Sequence, residues 1–289
     1  MLQDLAYGRL ENEFKKNMKP VGADRVVCVQ DGSILIKREA DDTLSLPTCQ
    51  EVTGWATENR WPCWGETPFQ YVFRMQDEDY YIWMGNAGSC SDEAYRYELT
   101  GSLRQITSKD ICYAAMTAWH LFNWYKNSRF CGACGTATVH DENERMMRCP
   151  SCGNMIFPRI NPSVIIALTD GDKLLLSKYA GRAYTRYALL AGFMEIGETA
   201  EQCVAREVME EVGLKVKNVR YYKTQPWGIA GNILMGFYCD LDGDNTITLD
   251  ETELAMADWY HRDNLPAWDD GISLTREMIR VFGEGNEPK

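Results

Sequence analysis

The sequence has no long hydrophobic run, no excess of basic residues and few histidines. No apolar run approaches the roughly 18 residues that a membrane-spanning helix needs; Val164 to Leu168, for example, has five, so we expect no membrane partner. Lys and Arg number 30 against 42 Asp and Glu, a net charge of -12, which argues against a broad basic surface for nucleic acid. The three histidines are scattered and fit no catalytic triad. If the substrate carries phosphates, metal ions must lie between it and so acidic a protein.

The N-terminal residues also lack the pattern of a secretory signal, because no apolar core follows a basic start between Met1 and Lys16. We therefore expect a cytoplasmic protein, in which disulfides are rare. Eleven cysteines is an odd number. Four of them form two CxxC pairs, which favours metal binding over disulfides, and the other seven are expected to be small buried hydrophobic residues.

The first 127 residues carry turn and helix signals but no catalytic motif. Asp31-Gly32 lies between two apolar runs and predicts a hairpin, and an acidic turn further on predicts a second one. Ser108 is the candidate N-cap of a helix that runs to about Asn127. We predict a small N-terminal α+β domain. Between the hairpins, core packing is favoured over a binding platform for three tryptophans: Trp55, Trp61 and Trp64.

Two cysteine pairs predict a zinc site. Cys131 and Cys134 enclose two residues, as do Cys149 and Cys152, and 14 residues separate the pairs, close to the spacing of four-cysteine zinc sites. A glycine after each pair lets the turn close so that backbone amides face the thiolates. Four thiolates complete a tetrahedron and leave no open position for water. We therefore expect one structural Zn²⁺ per chain, which stabilises the fold.

A group of glutamates on one predicted helix is the strongest functional signal. Thr199 and Gln202 form a capping-box pair that starts this helix. Glu207, Glu210 and Glu211 follow at i, i+3 and i+4, so they share one face. Clustered like charges destabilise a helix, but clustered oxygen ligands suit Mg²⁺ or Mn²⁺. For a charge run taken alone, a solvated acidic face is the alternative.

The spacing around these glutamates resembles the signature of the Nudix hydrolases. That signature has, in order, a glycine, a glutamate, an Arg-Glu pair, an aliphatic residue, two adjacent glutamates, a second glycine and a second aliphatic residue. This sequence matches it at every fixed position: Gly192, Glu198, Arg206, Glu207, Val208, Glu210, Glu211, Gly213 and Leu214. The resemblance implies the α/β Nudix fold, a mixed sheet between helices, and hydrolysis of a nucleoside diphosphate linked to another group.

The chemistry of that reaction agrees with these residues. A diphosphate repels a hydroxide nucleophile, and divalent ions held by Glu207, Glu210 and Glu211 would offset both charges and lower the pKa of a bound water. Arg206 can hold a glutamate in place through a bidentate contact. With Glu198, the four carboxylates of the signature are balanced by two divalent cations, so we expect more than one catalytic ion. A further carboxylate is the expected general base.

A second resemblance narrows the substrate. The segment FPRINP at 157 to 162 and Gln225-Pro226-Trp227, together with the cysteine pairs, resemble the NADH pyrophosphatase family over about 128 to 289. That family cleaves NADH and NAD to nicotinamide mononucleotide and AMP, and some members remove NAD caps from RNA. The resemblance implies a homodimer. We expect three domains: 1–127 N-terminal, 128–157 zinc ribbon and 158–289 Nudix.

The resemblance also implies particular substrate and metal contacts. Glu253 falls where the family places another metal-binding glutamate. Phe193 and Phe157 fall where aromatic residues stack on the nicotinamide ring, Phe157 from a second subunit, with core packing as the alternative for both. For Glu144 the alternative is an exposed loop carboxylate. The implied substrate-binding residues are Glu144, Phe157, Ala191, Phe193, Gln225, Pro226, Trp227 and Asn232.

The segment after Trp227 departs from the family pattern, which continues with Pro-Phe-Pro and a serine. Here it is Gly228-Ile229-Ala230-Gly231-Asn232, so two prolines and an aromatic residue are lost. We expect a more flexible loop and altered ligand discrimination, without loss of hydrolysis.

Three functional hypotheses remain open from the sequence. The first is an NADH and NAD diphosphatase with a structural zinc ribbon. The second is a Nudix hydrolase that prefers another substrate, such as ADP-ribose, or NAD-capped RNA in place of the free dinucleotide. The third is an inactive zinc-ribbon regulator that senses a nucleotide, which the complete set of glutamates in the signature disfavours.

Overall fold

The computed structural model describes residues 1–6, 8–16, 18–55, 67–85, 92–181, 185–266 and 271–289. Their contacts separate two compact units. The first comprises Met1–Gln3, Ile160–Trp227 and Asn232–Lys289, and the second comprises Asp4–Arg159 and Gly228–Gly231. Trp61, Trp64 and the side chain of Trp55 lie outside the described residues. Within these ranges, no helix combines the length and apolar character that crossing a bilayer requires.

The described part of the second unit contains three sheets and three α-helices. The sheets have the strand orders β1-β6-β7-β2, β3-β4-β5 with β8 beside β4, and β11-β10-β9. The helices are α1 (Cys49–Trp55), α2 (Leu103–Ile106) and α3 (Lys109–Asn127). The strands are β1 (Leu10–Glu11), β2 (Arg25–Val27), β3 (Val29–Gln30), β4 (Ser33–Arg38), β5 (Leu44–Ser45), β6 (Phe69–Met75), β7 (Glu78–Trp83), β8 (Tyr95–Leu99), β9 (Val139–His140), β10 (Met147–Arg148) and β11 (Met155–Ile156).

The predicted hairpins and helix of this unit are confirmed. Strands β3 and β4 pair across Asp31-Gly32, whose φ angles of 46° and 81° suit the turn of a two-residue hairpin. Strands β6 and β7 form the second antiparallel pair. Helix α3 begins after Ser108, whose side chain accepts a hydrogen bond from the Ile111 amide. One feature was not predicted: β2, which directly precedes the first hairpin, does not pair with it but pairs in parallel with β7.

The first unit is a mixed sheet with helices, which confirms the predicted fold class. Its strand order is β15-β16-β12-β13-β17, with β14 beside β12. Strands β12 and β16 run parallel, whereas β12 and β14 run antiparallel. The strands are β12 (Asn161–Asp170), β13 (Lys173–Tyr179), β14 (Leu190–Phe193), β15 (Val216–Trp227), β16 (Asn232–Leu241) and β17 (Leu254–His261), and the helices are α4 (Ala200–Val212) and α5 (Leu274–Gly283).

The two faces of this sheet are covered by different helices. Val164, Ile166 and Leu168 of β12 belong to the same buried cluster as the apolar residues of α4. Ile165 and Ala167, which alternate with them, belong to the cluster that contains α5. Because successive side chains of a strand point to opposite faces, the continuous apolar run of β12 supplies both halves of the core.

The segment around Trp227 continues a strand and then forms a turn. Gln225-Pro226-Trp227 lies inside β15 and pairs with β16. The turn at 228–231 packs on α3, and a Cβ on Gly228 would lie 2.3 Å from the Met116 carbonyl oxygen. The absence of a side chain at Gly228 thus permits a close backbone contact, a packing role that the sequence did not reveal, and the flexibility of this turn stays a prediction.

Candidate active site

The predicted glutamate helix forms as α4 and begins at the predicted capping box. Thr199 is its N-cap, Gln202 completes the capping box, and Gly213 follows in the left-handed conformation with φ 70°. Helix α4 packs beside β14, which carries Gly192. A Cβ on Gly192 would lie 1.9 Å from Glu207 Cδ. Glycine is therefore required at 192 to make room for the carboxylate.

Arg206 brings three of the predicted glutamates together. Its Nε and Nη2 donate to the two carboxylate oxygens of Glu198 at 3.1 and 2.7 Å, which is the predicted bidentate contact. Its Nη1 donates to Glu207 Oε1 and Glu210 Oε2, each at 2.8 Å. Nη2 also donates to the Phe193 carbonyl oxygen at 2.9 Å. One guanidinium thus connects the glutamates of α4, the preceding loop and the end of β14.

The site holds more negative charge than Arg206 neutralises. Burial raises the pKa of Glu207, the Arg206 contact lowers it in part, and the carboxylates of Glu210 and Glu253 raise it further. In contrast, hydrogen bonds from Arg206 lower the pKa of Glu198 to about 2. Carboxylates that raise one another's pKa are stabilised by a bound cation.

The predicted ligands of the catalytic metal all lie in the first unit but differ in burial. Glu207 and Glu211 are 9% and 2% exposed, whereas Glu210 and Glu253 are exposed. Across the part of the chain that the structure describes, three or more potential ligand atoms meet within 4.8 Å only at the cysteine pairs, so the carboxylates are not gathered that closely. Buried carboxylates need a compensating charge, and this all-oxygen donor set fits a hard divalent cation.

Several predicted substrate residues lie on strands of the same unit. The Phe193 side chain is 55% exposed, so core packing, the alternative for this residue, is not its role. Ala191 is partly buried on β14 and pairs with Ile165. Pro226 is exposed and Trp227 is partly buried. The ring of Phe193 and the side chain of Pro226 are therefore accessible to a ligand, and Ala191 and Trp227 are accessible in part.

Two further predicted substrate residues are occupied by contacts within the protein. Gln225 is fully buried; its Oε1 accepts from the Leu274 amide and its Nε2 donates to the Ile272 carbonyl oxygen, both at 2.7 Å. Asn232 is also buried, and its Nδ2 donates to Ser163 Oγ at 2.9 Å. Substrate contact by the Gln225 amide would require its bonds to break, whereas Asn232 Oδ1 is buried without a hydrogen-bond partner among the described residues.

The four predicted zinc ligands converge in the second unit. Their Sγ atoms all lie within 4.8 Å of one another. Hydrogen bonds with Thr136 lower the pKa of Cys134 to about 6, whereas, despite a hydrogen bond from the Asn154 backbone, the neighbouring thiols raise the pKa of Cys152 to about 12; a bound zinc ion would stabilise all four thiolates. The glycines after the two pairs have φ of 74° and 75°, as the predicted turns need. The set fits a structural zinc ion: Cys131, Cys134, Cys149 and Cys152.

The remaining predicted contacts lie on the zinc ribbon. Glu144 is exposed in the loop between β9 and β10. Asp141 organises that loop, because its Oδ1 accepts from the amides of Asn143 and Glu144 at 3.0 and 3.2 Å. Phe157, just after β11, is 51% exposed. Core packing is therefore not the role of Phe157 in this unit.

Cys203 is a contact that the sequence did not reveal. Its buried thiol accepts from Arg206 Nη2 at 3.5 Å and donates to the Phe193 carbonyl oxygen at 3.6 Å. The sequence contained one signal, since Cys203 lies three residues before Arg206 on the same helix face. The expectation of burial is met by the five of the other seven cysteines that the structure describes, whereas Cys63 and Cys90 lie outside the described residues; the polar contact of Cys203 was not foreseen.

Comparisons with known proteins match the segment that carries the glutamate helix and the segment that carries the cysteine pairs. The NUDIX domain model matches residues 159–281, and the NADH pyrophosphatase zinc ribbon domain model matches residues 126–157. A protein of Klebsiella pneumoniae (strain 342), named NAD-capped RNA hydrolase NudC, is 38% identical over 200 residues, 68% of this chain and 77% of that protein. A protein of the same name from Pseudomonas syringae pv. syringae (strain B728a) is 40% identical over 159 residues, 55% of this chain and 57% of that protein. A solved NUDIX hydrolase structure from Nitrosomonas europaea aligns with 54% of this chain and 91% of its own at 23% identity and a TM-score of 0.47.

Proposed function

The chain belongs to the Nudix hydrolase family, and on that premise we propose that it hydrolyses the diphosphate bond of NADH and NAD to give nicotinamide mononucleotide and AMP. The proposal includes NAD at the 5′ end of RNA, in line with the names of the two relatives. The observation that carries it is the presence, in one chain, of the complete glutamate helix and the four-cysteine ribbon of the NADH pyrophosphatase type.

The proposed reaction uses the carboxylates of the first unit. A bound divalent cation would offset the charge of the diphosphate and lower the pKa of the attacking water. Arg206 neutralises only part of the negative charge of the surrounding glutamates. The remaining charge supports the binding of Mg²⁺ or Mn²⁺, and of more than one such ion. Arg206 keeps Glu198 ionised and fixes the carboxylates beside it, and a further carboxylate takes the proton from water. The proposed metal ligands are Glu207, Glu210, Glu211 and Glu253.

The proposed substrate contacts follow from exposure. Phe193 stacks on the nicotinamide ring, and its 55% exposed side chain supports this role. Glu144, Phe157, Ala191, Pro226 and Trp227 contact the dinucleotide directly. We assign Gln225 a supporting role, because its amide holds neighbouring parts of the protein, and we keep the substrate contact of Asn232 through its Oδ1, which has no hydrogen-bond partner among the described residues.

The proposal also covers assembly, domains and compartment. A homodimer is supported by the resemblance and by the exposed ring of Phe157. Domains at 1–127, 128–157 and 158–289 are supported by the two family matches at 126–157 and 159–281. Every cysteine that the structure describes has a free thiol, which supports one structural Zn²⁺ per chain and a reducing, cytoplasmic compartment.

The test uses full-length protein with its zinc retained and Mg²⁺ or Mn²⁺ added. Equal concentrations of NADH, NAD and ADP-ribose, and separately a 5′-NAD RNA, are incubated with it, and products are separated by chromatography. We expect nicotinamide mononucleotide and AMP from the dinucleotides. Glu211→Gln should abolish turnover, whereas Glu201→Gln, an exposed glutamate in the first turn of α4, should retain it.

Two results would overturn the proposal in different ways. Faster turnover of ADP-ribose than of either dinucleotide would replace the substrate but keep the reaction class. Absence of turnover with every substrate, in zinc-loaded and folded protein, would remove the enzymatic activity and favour a nucleotide-sensing regulator.

A further inference from the structure

The side chain of Arg145 connects the Glu144 loop to the N-terminal sheet. Its Nη2 donates to the Val72 carbonyl oxygen at 2.6 Å and to the Asn12 carbonyl oxygen at 3.0 Å. Arg145 is largely buried, which lowers its pKa. Burying a guanidinium is costly, so this contact is a specific anchor and not an incidental surface interaction.

The two accepting carbonyls lie where the regular strand pairing of the N-terminal sheet is interrupted. Strand β1 pairs with β6 only at Leu10 and Glu11, and Asn12 follows directly. The register of β6 against β7 shifts between Tyr71 and Phe73, so Val72 is the extra residue of a β-bulge. The buried Val72 carbonyl needs a donor, and Arg145 supplies it while the same nitrogen also donates to the carbonyl of the exposed Asn12.

Hydrogen bonds within the zinc ribbon also hold the main chain on both sides of Arg145. The Asp141 amide donates to the Met146 carbonyl oxygen at 2.9 Å, and the Met146 amide donates to the Glu144 carbonyl oxygen at 2.8 Å. Arg148 Nε holds Asp141 Oδ2 at 3.1 Å. Glu144 therefore has a fixed backbone and an exposed side chain between two anchored residues.

We propose that Arg145 is a positioning residue, which fixes the direction of the Glu144 carboxylate by anchoring its loop to Asn12 and Val72. This inference rests on the proposed function, in which Glu144 contacts the dinucleotide. It gives the N-terminal sheet, which carries no catalytic motif, a part in substrate binding. Loss of the anchor should weaken binding and leave the chemical step intact, because the metal-binding carboxylates lie on other elements.

A double-mutant cycle in KM tests this coupling. Glu144→Gln should raise the KM for NAD about tenfold with kcat nearly unchanged, as expected for one lost charged contact. Arg145→Gln should raise KM about fivefold with kcat nearly unchanged. In the double variant KM should equal that of Glu144→Gln within about twofold. Multiplication of the two effects to about fiftyfold would overturn the proposal, because Arg145 would then act independently of Glu144.

Hydrogen exchange supplies a readout that does not depend on activity. In Arg145→Gln, peptides covering 141–147 and 10–13 should exchange at least about tenfold faster, with one zinc per chain retained. Arg96→Gln, on the exposed side of β8 in the same unit, is the matched control and should behave like wild type in exchange and KM. If Arg145→Gln does not fold, Arg145→Lys replaces it, since a single ammonium lacks the guanidinium fork.

The outcomes separate this inference from the proposed function. Wild-type protein that does not hydrolyse NAD contradicts the proposed function, whatever the exchange data show. Unchanged exchange at 141–147 in the Arg145 variant contradicts the anchor, even if NAD is hydrolysed.

Discussion

Gly192 shows how the absence of one side chain shapes the carboxylate site. A Cβ there would lie 1.9 Å from Glu207 Cδ, so Gly192→Ala must displace the carboxylate or the strand. Misplacing a catalytic group by about 1 Å can cost on the order of 100-fold in rate. We predict a fall in kcat of about that size, with zinc content unchanged, measured by NAD turnover at saturating metal.

The matched control is Gly101→Ala, where an added Cβ meets no atom within 4 Å. It should keep wild-type kcat. Full activity of Gly192→Ala would show that Glu207 does not need its present position.

His140 predicts a specific pH dependence of stability. Burial, and then the charges of Lys16 and Arg145, lower its pKa from 6.5 to about 4; Tyr125 Oη lies 2.9 Å from its Nε2 and the Phe14 ring stacks on it. The folded state holds the ring neutral, so the unfolded state binds one more proton between these values. Stability is complete above pH 6.5 and is lost as pH falls, by about 2 kcal/mol at pH 5 and about 3 kcal/mol below pH 4.

Urea unfolding followed from pH 7 to pH 4 measures this loss. His140→Phe keeps a flat ring against Phe14 but removes the titrating nitrogens, so its loss should be smaller by the stated amounts. Other groups titrate in both proteins and cancel in the difference. Parallel curves for the two proteins would contradict a buried neutral histidine.

Single residues were predictable where sequence spacing alone places them. Glu207, Glu210 and Glu211 share a face because of helical periodicity, and Arg206 is close enough on the same helix to hold them. The contact between Gly192 and Glu207 was not predictable, because it depends on how α4 packs on β14. The same limit applied to Gln225, whose amide is used by a segment about 50 residues away in sequence.

Among the elements, the turn at 228–231 gives the clearest prediction. A Cβ on Gly228 would lie 2.3 Å from the Met116 carbonyl oxygen of α3, and a helix backbone cannot yield as a flexible side chain can. Gly228→Ala should destabilise the protein by about 1–3 kcal/mol, the usual cost of overpacking. The midpoint of urea unfolding would report it, with Gly101→Ala as the control of unchanged stability.

A neutral Gly228→Ala would leave only the original expectation, in which this turn is flexible and its glycines serve only to loosen it. A destabilised variant with unchanged preference among NADH, NAD and ADP-ribose would separate the structural role of Gly228 from ligand discrimination.

Helices were easier to predict than strand pairings, for a physical reason. The ends of α3 and α4 are set by local caps at Ser108, Thr199 and Gly213, which a sequence displays directly. Pairing in a sheet joins distant segments, so neither the parallel partner of β2 nor the extension of β15 through Trp227 could be derived from spacing. Hairpins were the exception, since their turns are local.

For the whole molecule, two ligand sets of different chemistry lie in different units. The cysteine set offers four soft thiolates within 4.8 Å, which bind zinc tightly and leave no open position. The glutamate set offers hard oxygens, which suit Mg²⁺ or Mn²⁺ and release them more readily. The four cysteines and the three glutamates of α4 were predicted from short spacings along the chain, whereas Glu253 rested on the family resemblance.

This difference predicts that the two metals can be removed separately. Mild chelation should abolish NAD turnover while one zinc per chain and the thermal midpoint are retained, and added Mn²⁺ or Mg²⁺ should restore turnover.

Cys149→Ser should instead remove the zinc. The ribbon then unfolds, because zinc binding contributes on the order of 10 kcal/mol to folding of so small a unit. Glu211→Gln should keep its zinc and its thermal midpoint but lose turnover. Zinc content, thermal unfolding and turnover are measured on the same samples. Restoration of activity by zinc alone would contradict the separation of a structural from a catalytic metal. Loss of zinc together with activity under mild chelation would contradict it as well.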